Sequence, residues 1–153
     1  MTQDEQAHLN PAVSSQHRRQ VAVDRARSFI DDNLTNRIRL ADLCACTHTG
    51  ARSLEYGFRE MLGISPISYI RAMRLSLARD LLSSGCEPRT VTKIALDCGF
   101  GHLSQFAIDY RNFFGESPSA TLRTARDLLR SSHPKQQTDG NSRRCRCGAA
   151  IVN

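Results

Sequence analysis

Apolar residues recur at helical spacing through most of the chain, and no window alternates as a strand would. Residues 1 to about 20 are the exception: they are polar, contain Pro11 and hold no period, so they read as a flexible tail or linker. Over 21–34, Val23, Ala26, Phe29, Ile30 and Leu34 share one helical stripe. Leu40, Leu43 and Cys44 face inward on a short second helix, which "THTG" interrupts. Leu54, Phe58, Met61 and Leu62 mark a third helix, ended by Gly63. Ser65 is placed to cap and Pro66 to open a longer helix, over about 66–84. Its expected stripe is Ile70, Met73, Leu77 and Leu81, and Gly85 is a stop signal. "EPRT" reads as a loop, "VTKIALDC" as a short helix and "GFG" as a turn. Leu103, Phe106, Tyr110 and Phe113 mark the next helix, ended by Gly115. Ser117–Pro118 then opens a last helix to about Arg130, and residues 131–153 have the composition of a disordered basic tail. The expected fold is all-α, with about seven helices.

Part of this pattern occurs twice. "YRNFFGESPSATLR" lies over "FREMLGISPISYIR", with Gly115, Pro118 and Arg123 each 52 residues after Gly63, Pro66 and Arg71. Each copy is a short helix, a turn, a second helix, Gly, and Ser-Pro starting another helix. Short helix, turn and second helix make a helix-turn-helix, whose second helix enters the major groove of DNA. The units fall at about 40–62 and 91–114, joined by the 66–84 helix, within a DNA-binding domain over 21–130. Two such units on one rigid helix would read successive groove segments roughly 34 Å apart on one face of the duplex. Duplication lengthens the site without a dimer, so a monomer is sufficient.

Charge fits a polyanionic partner. The net charge is +6 and the sequence pI about 9.3. Of the 21 Lys and Arg, only Lys93 and Lys135 are Lys. Arg suits bidentate contact with phosphate and guanine; a compositionally biased genome would produce the same excess. No stretch approaches the roughly 18 apolar residues of a membrane span. The acidic, polar start is no signal peptide, so a cytoplasmic, reducing location and free thiols are expected. Neither Cys44–Cys46 nor Cys145–Cys147 has structural-zinc spacing, and no metal or cofactor is expected. There is no P-loop, no dinucleotide fingerprint and no nucleophile–base arrangement, and the five His are scattered, which argues against an enzyme.

Ile94, Ala95, Gly99, Phe100, Phe106, Tyr110, Arg111, Gly115 and Pro118 stand at the signature spacing of a known family. The first copy matches through Leu40, Leu43, Leu54, Phe58, Gly63, Pro66 and Arg74–Leu75. Over about 22–125 the chain resembles the DNA-binding domain of AraC/XylS-type transcription regulators. The resemblance implies seven helices, two homeodomain-like helix-turn-helix units and a central linker helix. It also implies binding to double-stranded promoter DNA, most often activating transcription through contact with RNA polymerase. Two positions depart from the family: His48 replaces the usual Gly of the first turn, and Gly50 the usual Ser at the recognition-helix cap. A looser first unit, or a turn shifted by a residue or two, is the expected result.

Helical geometry selects the candidate readers. Opposite Leu54–Phe58–Met61 lie Arg52, Tyr56 and Arg59, with Ser53 on the flank. Opposite Phe106–Tyr110–Phe113 lie Ser104, Ile108 and Arg111, with Gln105 on the flank. The family's base-contacting positions fall on the same face. Arg52 suits guanine and Gln105 adenine; Ser53 and Ser104 suit base or phosphate, and Tyr56 belongs with the base-reading set. Ile108 could touch a thymine methyl or be an isolated exposed apolar residue. Arg59 and Arg111 sit further along, suited to phosphate, although any of these Arg could simply face solvent. His102 is a helix-end phosphate contact or the polar residue of its turn. Tyr69 and Ile70 read as core. Two other readings remain: the C-terminal part of a longer ligand-responsive regulator, and a helical protein-interaction module without DNA specificity.

Overall fold

The computed structural model describes residues 11–85 and 89–132. Residues 1–10, residues 86–88 with Cys86 and the first half of the expected "EPRT" loop, and the basic tail from His133 with its "RRCRC" lie outside the described residues. Within them are seven helices and no strand: α1 Pro11–Asn33, α2 Leu40–Thr47, α3 Ala51–Leu62, α4 Pro66–Ser83, α5 Val91–Asp97, α6 Leu103–Phe114 and α7 Pro118–Ser132. The all-α expectation holds.

Local chemistry sets the helix starts. Ser65 Oγ accepts the N–H of Ser68 at 3.1 Å, and Pro66 follows in the first turn. Ser117 Oγ accepts from Ala120 at 3.2 Å ahead of Pro118, and Thr90 Oγ1 from Lys93 at 3.2 Å. One start differs from expectation. Helix α1 begins at Pro11, so residues 11–20 are helix and not tail. They lack an apolar stripe because their contacts are polar: half-buried Arg19 donates from Nε to Glu60 on α3 at 3.1 Å.

The core is two clusters. The first gathers Val23, Ala26 and Ile30 of α1, Leu43 of α2, Leu54 and Phe58 of α3, and Ile70 of α4. The second gathers Leu75, Ala78 and Leu82 of α4, Ile94, Ala95 and Cys98 at α5, Phe106 and Tyr110 of α6, and Leu122 of α7. Burial pushes the Cys98 thiol up to about 11, and it serves as a core side chain. The repeat therefore reaches further than its Ser-Pro caps. Val23, Ala26 and Ile30 stand 52 residues before Leu75, Ala78 and Leu82, and all six are buried. Helices α1–α2–α3 form one three-helix unit and α4–α5–α6 form the other.

This arrangement corrects the stripe expected on α4. Met73, Leu77 and Leu81 are only half-buried. The helix serves two cores in succession: its first turns seal the first through Ile70, and its later turns build the second from Leu75 onward. Ile70 and Leu75, five residues apart, lie about 140° apart around a helix, so no single stripe runs its length. On α6, Phe113 is 54% exposed, not core. Phe114 packs instead, with its ring 4.7 Å from that of Tyr110 and the Arg79 guanidinium 4.5 Å above it.

The units are tied together by Arg74 of α4. Its Nε donates to the Leu34 carbonyl at 2.9 Å and a terminal nitrogen donates to Asn36 O, both in the α1–α2 connection. The other terminal nitrogen donates to Gly99 O, in the second unit's turn, at 3.2 Å. Burial disfavours the guanidinium charge and lowers its pKa. Gly99 has φ +80°, and a Cβ there would lie 3.0 Å from Arg74 Cζ and 3.2 Å from Thr35 O. Gly63 has a similar φ of +72° with nothing within 4 Å of its missing Cβ. Gly63→Ala is therefore expected to cost only the backbone strain, about 1–2 kcal/mol. Gly99→Ala should cost that and at least about 1 kcal/mol more through the displaced Arg74. Urea unfolding of the two variants checks the difference; equal losses would mean that Arg74 yields freely.

Candidate nucleic-acid interface

The first unit's turn is closed by His48. It takes the left-handed conformation (φ 52°, ψ 35°) that Gly usually supplies, and its N–H reaches Ala45 O at 3.4 Å. Thr49 N–H donates to Cys44 O at 3.2 Å, and buried Thr47 donates from Oγ1 to Leu43 O at 2.8 Å. The turn is thus formed at His48 itself, without a shift. Gly50 then stands at the N-cap of α3 in extended conformation. In the second unit Gly99 is the left-handed residue and His102 is the N-cap of α6, with no side-chain capping bond. Left-handed residues are 51 apart (His48, Gly99) and N-caps 52 apart (Gly50, His102), so the second turn holds one more residue.

Below these turns, each recognition helix is anchored by its inner face. Leu54 and Phe58 hold α3, and Phe106 and Tyr110 hold α6, each pair 52 residues from the other and all nearly inaccessible. The α6 end is fixed further. Tyr110 donates to Thr121 Oγ1 at 3.0 Å, and Thr121 donates to Glu116 at 2.9 Å. Burial pushes the Tyr110 phenol pKa up, so it stays a donor.

The outer faces carry the sequence-predicted readers. Arg52, Ser53, Tyr56 and Arg59 are exposed on α3, and Ser104, Gln105, Ile108 and Arg111 on α6, with His102 exposed at its start. Arg52, Arg59 and Arg111 make no ion pair among the described residues, so their charges are available to a partner. Tyr56 and Ile108 are 57% and 53% exposed. Two readers are already held by the protein. The Arg19 guanidinium lies 5.2 Å from the Tyr56 ring centroid. Gln105 Nε2 donates to Asp109 Oδ1 at 2.8 Å. Asp109 in turn lies 3.3 Å from Nε of Arg71 on α4.

Sequence reasoning missed these supporting residues. Arg19 lay in the stretch expected to be tail. A signal was available: Arg19 precedes Arg71 by the same 52 residues that separate Arg71 from Arg123. The Gln105–Asp109 pair has the i, i+4 spacing at which helix side chains meet. Tyr69 is half-buried, edge-on to Phe58 at 5.8 Å, as a core residue would be, and Ile70 is buried.

A family described as "Helix-turn-helix domain" matches residues 43–134 of this chain. A crystal structure of a probable AraC family transcriptional regulator from Rhodopseudomonas palustris CGA009 is 42% identical, with a TM-score of 0.66 over 69% of this chain and 97% of that one. The chain belongs to the AraC family of helix-turn-helix transcription regulators. Among its AraC-family relatives, the XylDLEGF operon transcriptional activator of Pseudomonas putida is 42% identical over 101 residues. That match covers 65% of this chain and 32% of the activator, so the chain spans about a third of the relative's length. The fold is also shared with the DNA-binding domain of AdpA, solved in complex with a target DNA, at 22% identity and a TM-score of 0.61 over 74% of this chain and 97% of that one. No helix among the described residues is long and apolar enough to cross a membrane.

If the outer faces of this AraC-family domain are free of structural duty, truncating them leaves the fold intact. Arg52→Ala, Ile108→Ala and Arg111→Ala are each expected to change unfolding free energy by less than about 0.5 kcal/mol. Leu54→Ala, on the buried face of α3, should cost about 2–5 kcal/mol. Thermal and urea unfolding of the four variants separates the faces.

Proposed function

We propose that this chain is a sequence-specific DNA-binding transcription activator that lays α3 and α6 into two successive major-groove segments on one face of a promoter. The observation that carries this reading is the repeat. Two recognition helices start 52 residues apart, on equivalent buried anchors, and each leaves a polar, partly cationic face exposed. A helix of this size fits the major groove, where every base pair has a distinct donor and acceptor pattern. Arg52 reads guanine and Gln105 reads adenine. Ser53, Tyr56, Ser104 and Ile108 complete the base-facing set, Ile108 against a thymine methyl. Arg59, His102 and Arg111 grip phosphate. With two reading helices in one chain, a monomer suffices, acting in the cytoplasm without cofactor or metal. The Pseudomonas putida relative is named as an activator, and the same outcome here requires contact with RNA polymerase once the domain is seated.

The test is selection of a binding site from a random duplex pool, followed by affinities at two salt concentrations. One site with two half-elements about a helical turn apart is expected, and affinity should fall steeply with salt as phosphate counterions are released. Arg52→Ala should relax one half-element and Gln105→Ala the other, each losing roughly 5- to 150-fold in discrimination, the range of a good bidentate pair. Enrichment of no sequence, with affinity abolished by modest salt, would sink the reading in favour of non-specific phosphate attraction.

A further inference from the structure

We propose that Asp109 is a positioning residue that fixes the amide of Gln105 for base reading, and that Arg71 of the central helix holds Asp109 in place. The inference rests on Gln105 being a base reader. An amide has two N–H donors on one side and an acceptor oxygen on the other, and a free side chain can present either. Here Nε2 donates to Asp109 Oδ1 at 2.8 Å. A carboxylate only accepts, so a flipped amide would set Oε1 against a negative oxygen. One orientation survives. It leaves Oε1 and the second N–H of Gln105 directed away from Asp109, the acceptor–donor pair that matches adenine N6 and N7.

Asp109 is itself fixed. Its side chain is 13% exposed, and Oδ2 is buried without a hydrogen-bond donor. Nε of Arg71 lies 3.3 Å from that oxygen, off the line of a hydrogen bond but close enough to balance its charge. A carboxylate so placed has little freedom to leave Gln105, and the ordering of Gln105 is done before DNA arrives. The first unit has a related device. Arg19 stands 52 residues before Arg71, on the equivalent lead helix, and reaches its recognition helix at Tyr56 and Glu60. Gly57 stands where Asp109 does, and a Cβ there would come within 3.0 Å of Val23, so that flank has no room for a relay carboxylate. Each lead helix thus projects an Arg onto a reading residue, directly in the first unit and through a carboxylate in the second.

The test uses the full chain and its selected duplex. Affinities are measured for that duplex and for the three duplexes changed at the base pair that Gln105→Ala relaxes. Asp109→Ala is expected to lower discrimination at that pair at least ~5-fold, while affinity for a random duplex stays the same or rises, since a negative charge has gone. In the Gln105→Ala background, Asp109→Ala should change discrimination no further, the coupling expected of one device. Asp109→Asn, which keeps size and one acceptor but permits a flipped amide, should lose part of the discrimination and serves if the Ala variant does not fold. A merely structural role would lower affinity for all duplexes alike, together with the melting temperature, and would overturn the relay. Full discrimination in both Asp109 variants, or additive losses with Gln105→Ala, would overturn it too. If Gln105→Ala relaxes no base pair, the reading of Gln105 fails first and the relay with it.

Discussion

The relative placement of the two units depends on one half-buried cation, Arg74. Each unit has its own core, and a single helix would leave them free to bend about it. Arg74 removes that freedom by donating to Leu34 and Asn36 on one side and to Gly99 on the other. Carbonyl oxygens carry no net charge, so desolvation is offset by hydrogen bonds alone, each worth about 1.5–3 kcal/mol when the donor is ionised. Lys could not substitute, because its ammonium is a point donor and the three acceptors are spread around a planar fork. The absence of a side chain at Gly99 is the other half of the contact. A glycine conserves the turn's left-handed geometry and opens the space into which the guanidinium fits.

The two units solve the same folding problem with different parts. The buried positions of α1 and α4 correspond one for one, and so do those of α3 and α6. The turns do not. His48 accepts a left-handed conformation at some cost, in a shorter turn, where the second unit spends a glycine and an extra residue. The extra length lets Phe100 pack on Phe106, ring centres 4.7 Å apart, and places Gly99 against Arg74. The longer turn therefore belongs to the joint between units as much as to the helix it precedes.

Much of this was legible in the sequence, and the failures share a cause. Helices with one core beneath them, such as α3 with Leu54 and Phe58, show a clean period and were placed within a residue or two. Helix α4 has two cores, so of the stripe that a single period predicts only Ile70 is buried, while Met73, Leu77 and Leu81 are half-buried. Carrying Val23, Ala26 and Ile30 forward by the repeat length would have found Leu75, Ala78 and Leu82 directly. Phe113 looked like core because periodicity does not weigh two adjacent aromatics against each other; Phe114 won through Tyr110 and Arg79. The start of α1 is hidden because an ion pair and a cation over a ring leave no apolar pattern. The candidate readers lie on exposed faces, as helical geometry required. Their supports, Arg19, Arg71 and Asp109, are polar residues defined by tertiary neighbours, which a periodicity cannot register.

The repeat also shows how α7 differs from α4. Each Ser-Pro cap opens a helix that first seals the unit behind it: Ile70 closes the first core and Leu122, 52 residues on, closes the second. Further along α4, Leu75 and Ala78 begin a new core. The matching positions of α7 are Asp127 and Arg130, both exposed. Helix α7 thus has the sealing half of a lead helix and not the nucleating half. In that register α7 carries charge at two positions where α4 carries buried hydrocarbon.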